Sequence, residues 1–459
     1  MTVATFSARD VALEVLQAVL RRRRRLDEAL AGHPGVARLA SRDRAFARLV
    51  VATALRRLGQ IDGLIDHCLD HPLPHKAHGV RDVLRLGLAQ LVFLGTPAHA
   101  AVDTTVTLAE AHRHGPHKGL VNALLRRIAR EGAALCAAQD AARLNTPDWL
   151  WRSWSDAYGQ ETCRAIAEAH LSAPPLDITV KGDPRNWAEW LDAMLLPTGS
   201  LRRPGGSSSA PAKTGVRADS DEKGSAGMEE EGTAGAVCDL PGFAAGAWWV
   251  QDAAAALPAR LLGDVRGRTV LDLCAAPGGK TAQLAAHGAR VVAVDLSKKR
   301  LDRVRENLDR LRLPAELIVA DAAEWRPDAP AQAMLLDAPC SGTGTLRRHP
   351  DIAHLKSAED VGRLADLQDR LLRNAAGMLA PGGVLVYAVC SLQPEEGEAR
   401  IAGLLAAGAP LKRVPVEPAE IGGVAEMVTK DGDLRTLPCH FADRGGIDGF
   451  YAARLQRVG

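Results

Sequence analysis

Asp272-Leu273-Cys274-Ala275-Ala276-Pro277-Gly278-Gly279-Lys280-Thr281 is the stretch on which the reading of this chain turns. An apolar run, Thr269-Val270-Leu271-Asp272-Leu273, leads into it, and residues 280–287 follow with helical character. Strand, glycine turn and helix in that order open an alternating pattern. Further apolar runs lie at 290–295, 316–321, 333–337 and 384–389, with a helix over 297–312 that Ser297 caps. Continuous apolar strands alternating with helices predict an α/β domain with a parallel sheet covered on both faces. Ligands of such sheets bind beyond the carboxyl ends of the strands.

Towards the N-terminus the pattern changes. Residues 1–145 read as all-helical: Ser7 is a good N-cap, and Val11, Val15, Leu16 and Val19 follow at helical spacing. Later stripes are Leu49, Ala52, Leu55 and Leu58, then Val83, Leu84, Leu86, Leu88 and Leu91. Residues 146–240 read as a connecting subdomain, with Pro174-Pro175 and a strand-like 176–180. Within it, 198–234 carries almost no large apolar groups after Gly205-Gly206-Ser207-Ser208-Ser209. Such a segment cannot bury enough surface to offset its ordering entropy, so a disordered insertion is expected there. Residues 241–459 form the α/β domain.

The chain has 459 residues, room for two or three cores. No run of 18 apolar residues appears, and residues 1–10 lack a basic-then-apolar signal pattern, so the expectation is a cytoplasmic protein. The net charge of +2 hides an asymmetry. Residues 1–150 hold 21 Lys and Arg against 14 Asp and Glu, a net of +7, which leaves −5 for the remainder. A basic module joined to a mildly acidic one suits a polyanion partner such as nucleic acid, although an Arg-rich solvated surface gives the same count. The five arginines Arg21 to Arg25 carry the same two readings, a grip on RNA phosphates or a solvated helix face. Eight scattered cysteines with no C-x-x-C pair make neither a disulfide framework nor a zinc site. His67, His71, His75 and His78 are broken by proline and complete no ligand set, so no metal is expected. Trp248-Trp249 reads as core.

Three predicted strands end in an acid, Asp295, Asp321 and Asp337, and Asp272 lies within a fourth. One such acid is commonly a helix cap, but a series lines the ligand edge of the sheet. The turn Cys274-Ala275-Ala276-Pro277-Gly278-Gly279-Lys280 is neither G-x-x-x-x-G-K-[ST] nor G-x-G-x-x-G. Its glycines admit close backbone approach, and the helix start offers free N–H groups to a carboxylate. This fits the amino-acid end of S-adenosyl-L-methionine, with Asp295 suited to the ribose hydroxyls and Asp321 to the adenine amino group. Cys340, in Asp337-Ala338-Pro339-Cys340-Ser341-Gly342, and Cys390, in Val389-Cys390-Ser391, both belong to the same edge. Carbon 5 of cytosine is a poor nucleophile until a thiolate adds at carbon 6. The chemistry then needs a group near N3 and a base for the carbon-5 proton. Asp337, Cys340 and Cys390 supply that set, and chemistry alone allows the two thiols to exchange roles.

Residues 272–281 resemble the cofactor motif of the Nop/Sun family of RNA cytosine-5 methyltransferases. Asp337-Ala338-Pro339-Cys340-Ser341-Gly342-Thr343-Gly344 is similar to that family's proline-cysteine motif. Arg348-His349-Pro350-Asp351 and Asp448-Gly449-Phe450-Tyr451 match further family segments. The helical part resembles the NusB-type RNA-binding domain fused to the bacterial branch that modifies small-subunit (16S) ribosomal RNA. The resemblance implies a Rossmann-like class I S-adenosyl-L-methionine-dependent methyltransferase domain behind an all-helical NusB-like domain. It implies that Cys390 is the nucleophile and Cys340 assists product release, and it makes Lys280 a contact of the cofactor or the target base. Val389 departs from the Thr or Ser usual before the nucleophile. The implied partner is ribosomal RNA, free or partly assembled, with a monomer as the default state. A non-catalytic RNA-binding assembly factor is the contrasting reading. The full set Lys280, Asp295, Asp321, Asp337, Cys340 and Cys390 argues against it, and the second cysteine at the fifth strand disfavours a DNA methyltransferase.

Overall fold

A computed structural model describes residues 6–74, 77–203 and 237–459. Its first 144 residues contain helices and no strand among those described: the longer ones are Ala8–Arg22, Ser41–Arg56, Leu58–Cys68, His78–Leu88, Ala98–Ala111 and Lys118–Ala137. Ser7 caps the first through a reciprocal box with Asp10, and Val11, Val15, Leu16 and Val19 are all buried in the core of this unit. The stripe read at 49, 52, 55 and 58 is out of phase. Leu49 is 47% exposed, and the buried face of Ser41–Arg56 is Ala47, Val50, Val51, Ala54 and Leu55. Of the stripe only Leu55 is buried, and Ala47, Val50, Val51 and Ala54 carry the rest of the face.

Two more helices, Asp148–Tyr158 and Gln160–Ala169, occupy ground read as a transition. Their buried Leu150, Trp154, Cys163 and Ile166 pack with Leu346, Ile352, Leu392 and Leu437 of the catalytic half. A small antiparallel sheet follows, of β1 (Leu176–Val180), β2 (Met194–Leu195), β3 (Leu201–Arg203) and β4 (Trp248–Val250), in the order β2-β3-β1-β4. Residues 198–203 were expected to open the disordered insertion, and the structure corrects this. Leu201 and Arg202 are buried in β3, where the Arg202 guanidinium makes a two-pronged pair with Asp177 at 2.7 Å on each arm. The rest of that segment, 204–234, lies outside the described residues. Trp248 and Trp249 are both buried in β4, as core.

The large sheet contains β5 (Thr269–Leu273), β6 (Arg290–Asp295), β7 (Glu316–Val319), β8 (Ala331–Asp337), β9 (Leu379–Val389), β10 (Leu411–Arg413), β11 (Leu434–Thr436) and β12 (Phe450–Arg457). Its order is β10-β12-β9-β8-β5-β6-β7, with β11 beside β12. Strands β7, β6, β5, β8 and β9 are parallel, and β12 enters antiparallel to β9. Both faces are covered. Val270, Ala293, Ala333, Leu335 and Val386 point to one core, and Leu271, Leu273, Val294, Met334, Leu336 and Tyr387 to the other. This is the doubly wound, Rossmann-like architecture expected from the sequence. The chain turns back between β5 and β8, and sheets of this kind take their ligands in the crevice at such a switch point. The three terminal strands were not foreseen.

Candidate active site

The site is built at the carboxyl ends of β5, β6, β8 and β9. After β5 the chain passes Cys274 at φ 61° and Gly278 at φ 95° before entering the helix Gly279–Ala286. A side chain at Gly278 would be strained, and its Cβ would fall 2.9 Å from Val304 Cγ1, so glycine is required there. Gly279 has ordinary room, with Gln251 the nearest group at 3.6 Å. Asp272 is fully buried and accepts from Thr281 Oγ1 at 2.5 Å, while its Oδ1 has no partner among the described residues. Burial, then Asp337 and Asp295, pushes this carboxyl up to about 7, against Thr281 and Lys280. Burial and the same three carboxylates raise the Cys274 thiol. The turn therefore sits among acidic groups, of which Asp337 and Asp295 face Lys280 and Arg300.

Asp295 ends β6 with its carboxylate accepting from the N–H groups of Ala276 (3.1 Å) and Ser297 (3.0 Å), and Arg300 lies 3.4 Å away. Asp321 follows β7 by two residues. Its side chain accepts from Ala323 N–H at 2.9 Å, and neighbouring Ala320 N–H donates to the Asp295 carbonyl at 3.2 Å. Asp337 ends β8 and accepts from Lys280 Nζ at 2.7 Å. That ammonium also lies 4.9 Å from the centre of the Phe450 ring. Cys340 and Cys390, on the loops after β8 and β9, bring their sulfurs to 3.3 Å. The bond to Cys390 and burial raise the Cys340 thiol well above the usual range, with Glu396 and Asp337 adding to it. Lys280, Asp337, Cys340 and Cys390 thus form one cluster, with Ala275, Ala276 and Pro277 beside it; Asp321 stands at the far side, towards β7.

With 37% identity over 98% of both chains, a Ribosomal RNA small subunit methyltransferase B of Pseudomonas putida is similar to this protein end to end. The chain belongs to the family of 16S rRNA methyltransferases RsmB/F. The family model covers residues 259–456, and the NusB family model covers 7–130. A Ribosomal RNA small subunit methyltransferase B of Vibrio cholerae is 35% identical over 91% of this chain and 90% of its own. Among solved structures, that of PH0851 superposes with a TM-score of 0.69 over 99% of this chain and all of its own, at 20% identity. NSun6 from Pyrococcus horikoshii, solved with SFG, gives 0.53 over 68% of this chain and 98% of its own, at 22% identity. Membership makes the chain an S-adenosyl-L-methionine-dependent methyltransferase acting on ribosomal RNA, with a NusB domain in front.

Several residues of the RsmB/F site had no role assigned from sequence. Arg347 and Arg348 meet Asp252 and Asp448 in a buried ion cluster, with Arg347–Asp448 at 3.1 Å and Arg348–Asp448 at 2.8 Å. This ties the two family segments 348–351 and 448–451 to the end of β4. Gly344 crosses Gly449 so closely that a Cβ would lie 1.9 Å from the Gly449 carbonyl. Glu396 is fully buried between the two cysteine loops. Nothing in the sequence marks it, since its burial and its partners appear only once the two loops are brought together. No group of three His, Cys, Asp or Glu able to hold a metal occurs among the described residues, and His75 lies outside them. No described helix is long and apolar enough to cross a membrane.

Proposed function

We propose that this protein forms 5-methylcytosine in small-subunit (16S) ribosomal RNA through a covalent bond between Cys390 and carbon 6 of the target cytosine. The observation that carries the reading is the pair of thiols 3.3 Å apart at the mouth of the crevice, next to the Lys280–Asp337 pair. The residues present fit S-adenosyl-L-methionine. The buried, unpartnered Asp272 Oδ1 is suited to a cationic donor, and Gly278 leaves no Cβ in the turn. The turn 274–280 would hold the amino-acid end, Asp295 the ribose and Asp321 the adenine. S-adenosyl-L-methionine supplies an electrophilic methyl group there.

The chain's own residues do the rest. Cys390 attacks carbon 6 as a thiolate and makes carbon 5 nucleophilic. Asp337, held by Lys280, faces N3 of the base. After methyl transfer Cys340 takes the carbon-5 proton, the C–S bond breaks, and Cys390 leaves as thiolate. To take that proton Cys340 must first give up its own, which the bond to Cys390 and burial hold in the resting site. Cys390→Ala is expected to abolish methylation while keeping cofactor affinity. Cys340→Ala is expected to accumulate a protein–RNA adduct, seen as a slow band in a denaturing gel. Mass spectrometry of nucleosides from small-subunit RNA incubated with labelled cofactor reads the product. Turnover by Cys390→Ala, or label in a nucleoside other than 5-methylcytidine, would sink the assignment. The protein is further proposed to act as a cytoplasmic monomer, which sedimentation of the purified chain with and without RNA tests.

A further inference from the structure

The two reactive loops leave different strands. The first runs from the end of β8 through Cys340 and Ser341, the second from the end of β9 through Cys390 and Ser391. Nothing in a parallel sheet fixes the separation of two loops beyond its edge, because the ladder ends at Asp337 and Ala388. Thr343 Oγ1 accepts from Leu392 N–H at 3.0 Å and the Ser341 and Ser391 hydroxyls meet at 3.2 Å, and one charged side chain bonds to both loops at once. Glu396 accepts from Ser341 N–H at 2.8 Å, Ser341 Oγ at 2.5 Å and Ser391 Oγ at 2.5 Å. Gln368 Nε2 approaches its other face at 3.2 Å and also donates to the Pro339 carbonyl at 2.8 Å. The residue after each cysteine is thus bonded to the same carboxylate, in a place with no access to water. A carboxylate with four donors can be at home there, and an apolar group would leave the Ser341 N–H unpaired and both serine hydroxyls without this acceptor. The backbone adds Ala338 N–H to the Ala388 carbonyl at 2.9 Å and Gly344 N–H to the Cys390 carbonyl at 3.1 Å.

We propose that Glu396 is a positioning residue that clamps the Cys340 and Cys390 loops through Ser341 and Ser391 and so sets the sulfur–sulfur separation on which turnover depends. The catalytic half of this statement rests on the covalent reading above; the clamp itself does not. Glu396 bonds to neither sulfur and positions both through their neighbours, beside the charge it presents to the Cys340 thiol. An amide at 396 keeps one accepting oxygen for Ser341 N–H and Gln368, and presents an NH₂ to the two hydroxyls. The expected order of function is therefore wild type, Glu396→Gln, Glu396→Ala.

The test measures the thiol separation without using the methyl-transfer reaction. Diamide oxidises two facing thiols to a disulfide, with both hydrogens and both electrons passing to the diazene, which becomes a hydrazine. Peptide mass spectrometry then follows the rate of Cys340–Cys390 crosslinking in the full-length protein. Crosslinking is expected to slow at least tenfold in Glu396→Ala and by less in Glu396→Gln, with Ser391→Ala intermediate. In parallel, kcat falls in the same order while KM for RNA and cofactor stays within twofold. Crosslinking unchanged in Glu396→Gln and Ser391→Ala overturns the clamp, whatever reaction the protein catalyses. Slowed crosslinking with kcat unchanged overturns the catalytic half. Slowed crosslinking in a protein whose unsubstituted form makes no 5-methylcytosine supports the clamp and removes the covalent reading instead. Should Glu396→Ala fail to fold, the isosteric Gln and the single-hydroxyl deletion carry the comparison.

Discussion

Asp272 sits where burial, Asp337 and Asp295 all favour its neutral form, and only Thr281 and Lys280 oppose them. Its ordinary value in an unfolded chain is about 4, so a folded value of about 7 means that the native state holds a proton the unfolded state has released. Stability then falls as pH rises from about 4 to 7 and stays lower above that window. Asp272→Asn removes the titration. It is expected to raise stability at pH 8 by about 1 kcal/mol, less than the full linkage because a buried NH₂ replaces the unpaired oxygen. It should give no gain at pH 4.5, and denaturant unfolding at the two values reads the difference. The same carboxyl must lose its proton to receive a cationic ligand. Cofactor affinity of the native protein should therefore tighten between pH 6 and 8, and calorimetry should show that dependence vanish in Asp272→Asn. Equal pH profiles for the two proteins would refute the assignment.

The helix Asp148–Tyr158 shows how an element outside the sheet reaches the chemistry. Trp154, fully buried, donates from Nε1 to Gln393 Oε1 at 2.9 Å; Ser153 Oγ accepts from Gln393 Nε2 at 2.8 Å; Tyr158 donates to the Leu392 carbonyl at 2.6 Å. Residues 391–396 run directly on from Cys390, so this helix braces the back of the Cys390 loop. Trp154→Phe keeps an aromatic but loses volume and the N–H. An expected cost of about 1–3 kcal/mol follows, with slower single turnover and unchanged cofactor affinity. Unfolding curves and quenched-flow kinetics check it, and full-rate turnover would free the helix of this role. Such elements were the least legible in the sequence. Residues 269–273 and 290–295 end where the apolar pattern ends, because a strand buried on both faces is apolar at every position. The places of the acids and cysteines that follow the strands were legible for the same reason. Helix 148–158 is periodic, but periodicity does not say which module it packs on. Strand β12 was missed because Arg454 and Arg457 interrupt its apolar run, and their guanidiniums fold back onto Glu420 and the Leu379 carbonyl. Glu396 was missed because its meaning lies in two loops 50 residues apart.

Across the molecule the excess positive charge lies in the helical unit. Arg22, Arg24 and Arg25 are exposed, whereas Arg21 is committed to the buried Asp82. Replacing Arg22, Arg24 and Arg25 by Gln should weaken RNA binding and flatten its dependence on log salt by about 0.7–0.9 for each phosphate no longer neutralised. Cofactor affinity should not change, and filter binding at several salt concentrations decides between a phosphate grip and a solvated face. The helical unit and the catalytic unit meet along 347–355. There Asp351 accepts from Leu26 N–H at 3.0 Å and His354 Nε2 bonds the Leu55 carbonyl at 2.9 Å, while Arg56 donates to the Arg347 carbonyl at 2.7 Å and Arg23 to that of Leu355. Each of these four bonds joins one side chain to one backbone group. Where the catalytic unit supplies the side chain, what it holds is the path of the helical chain, not the identity of the residues at 26 and 55. Arg23, Arg56 and Asp27, which faces His349 at 3.4 Å, are the helical side chains that the joint constrains; most of the remaining helical surface, and with it the RNA that surface prefers, is free to change without renegotiating how the two units are joined.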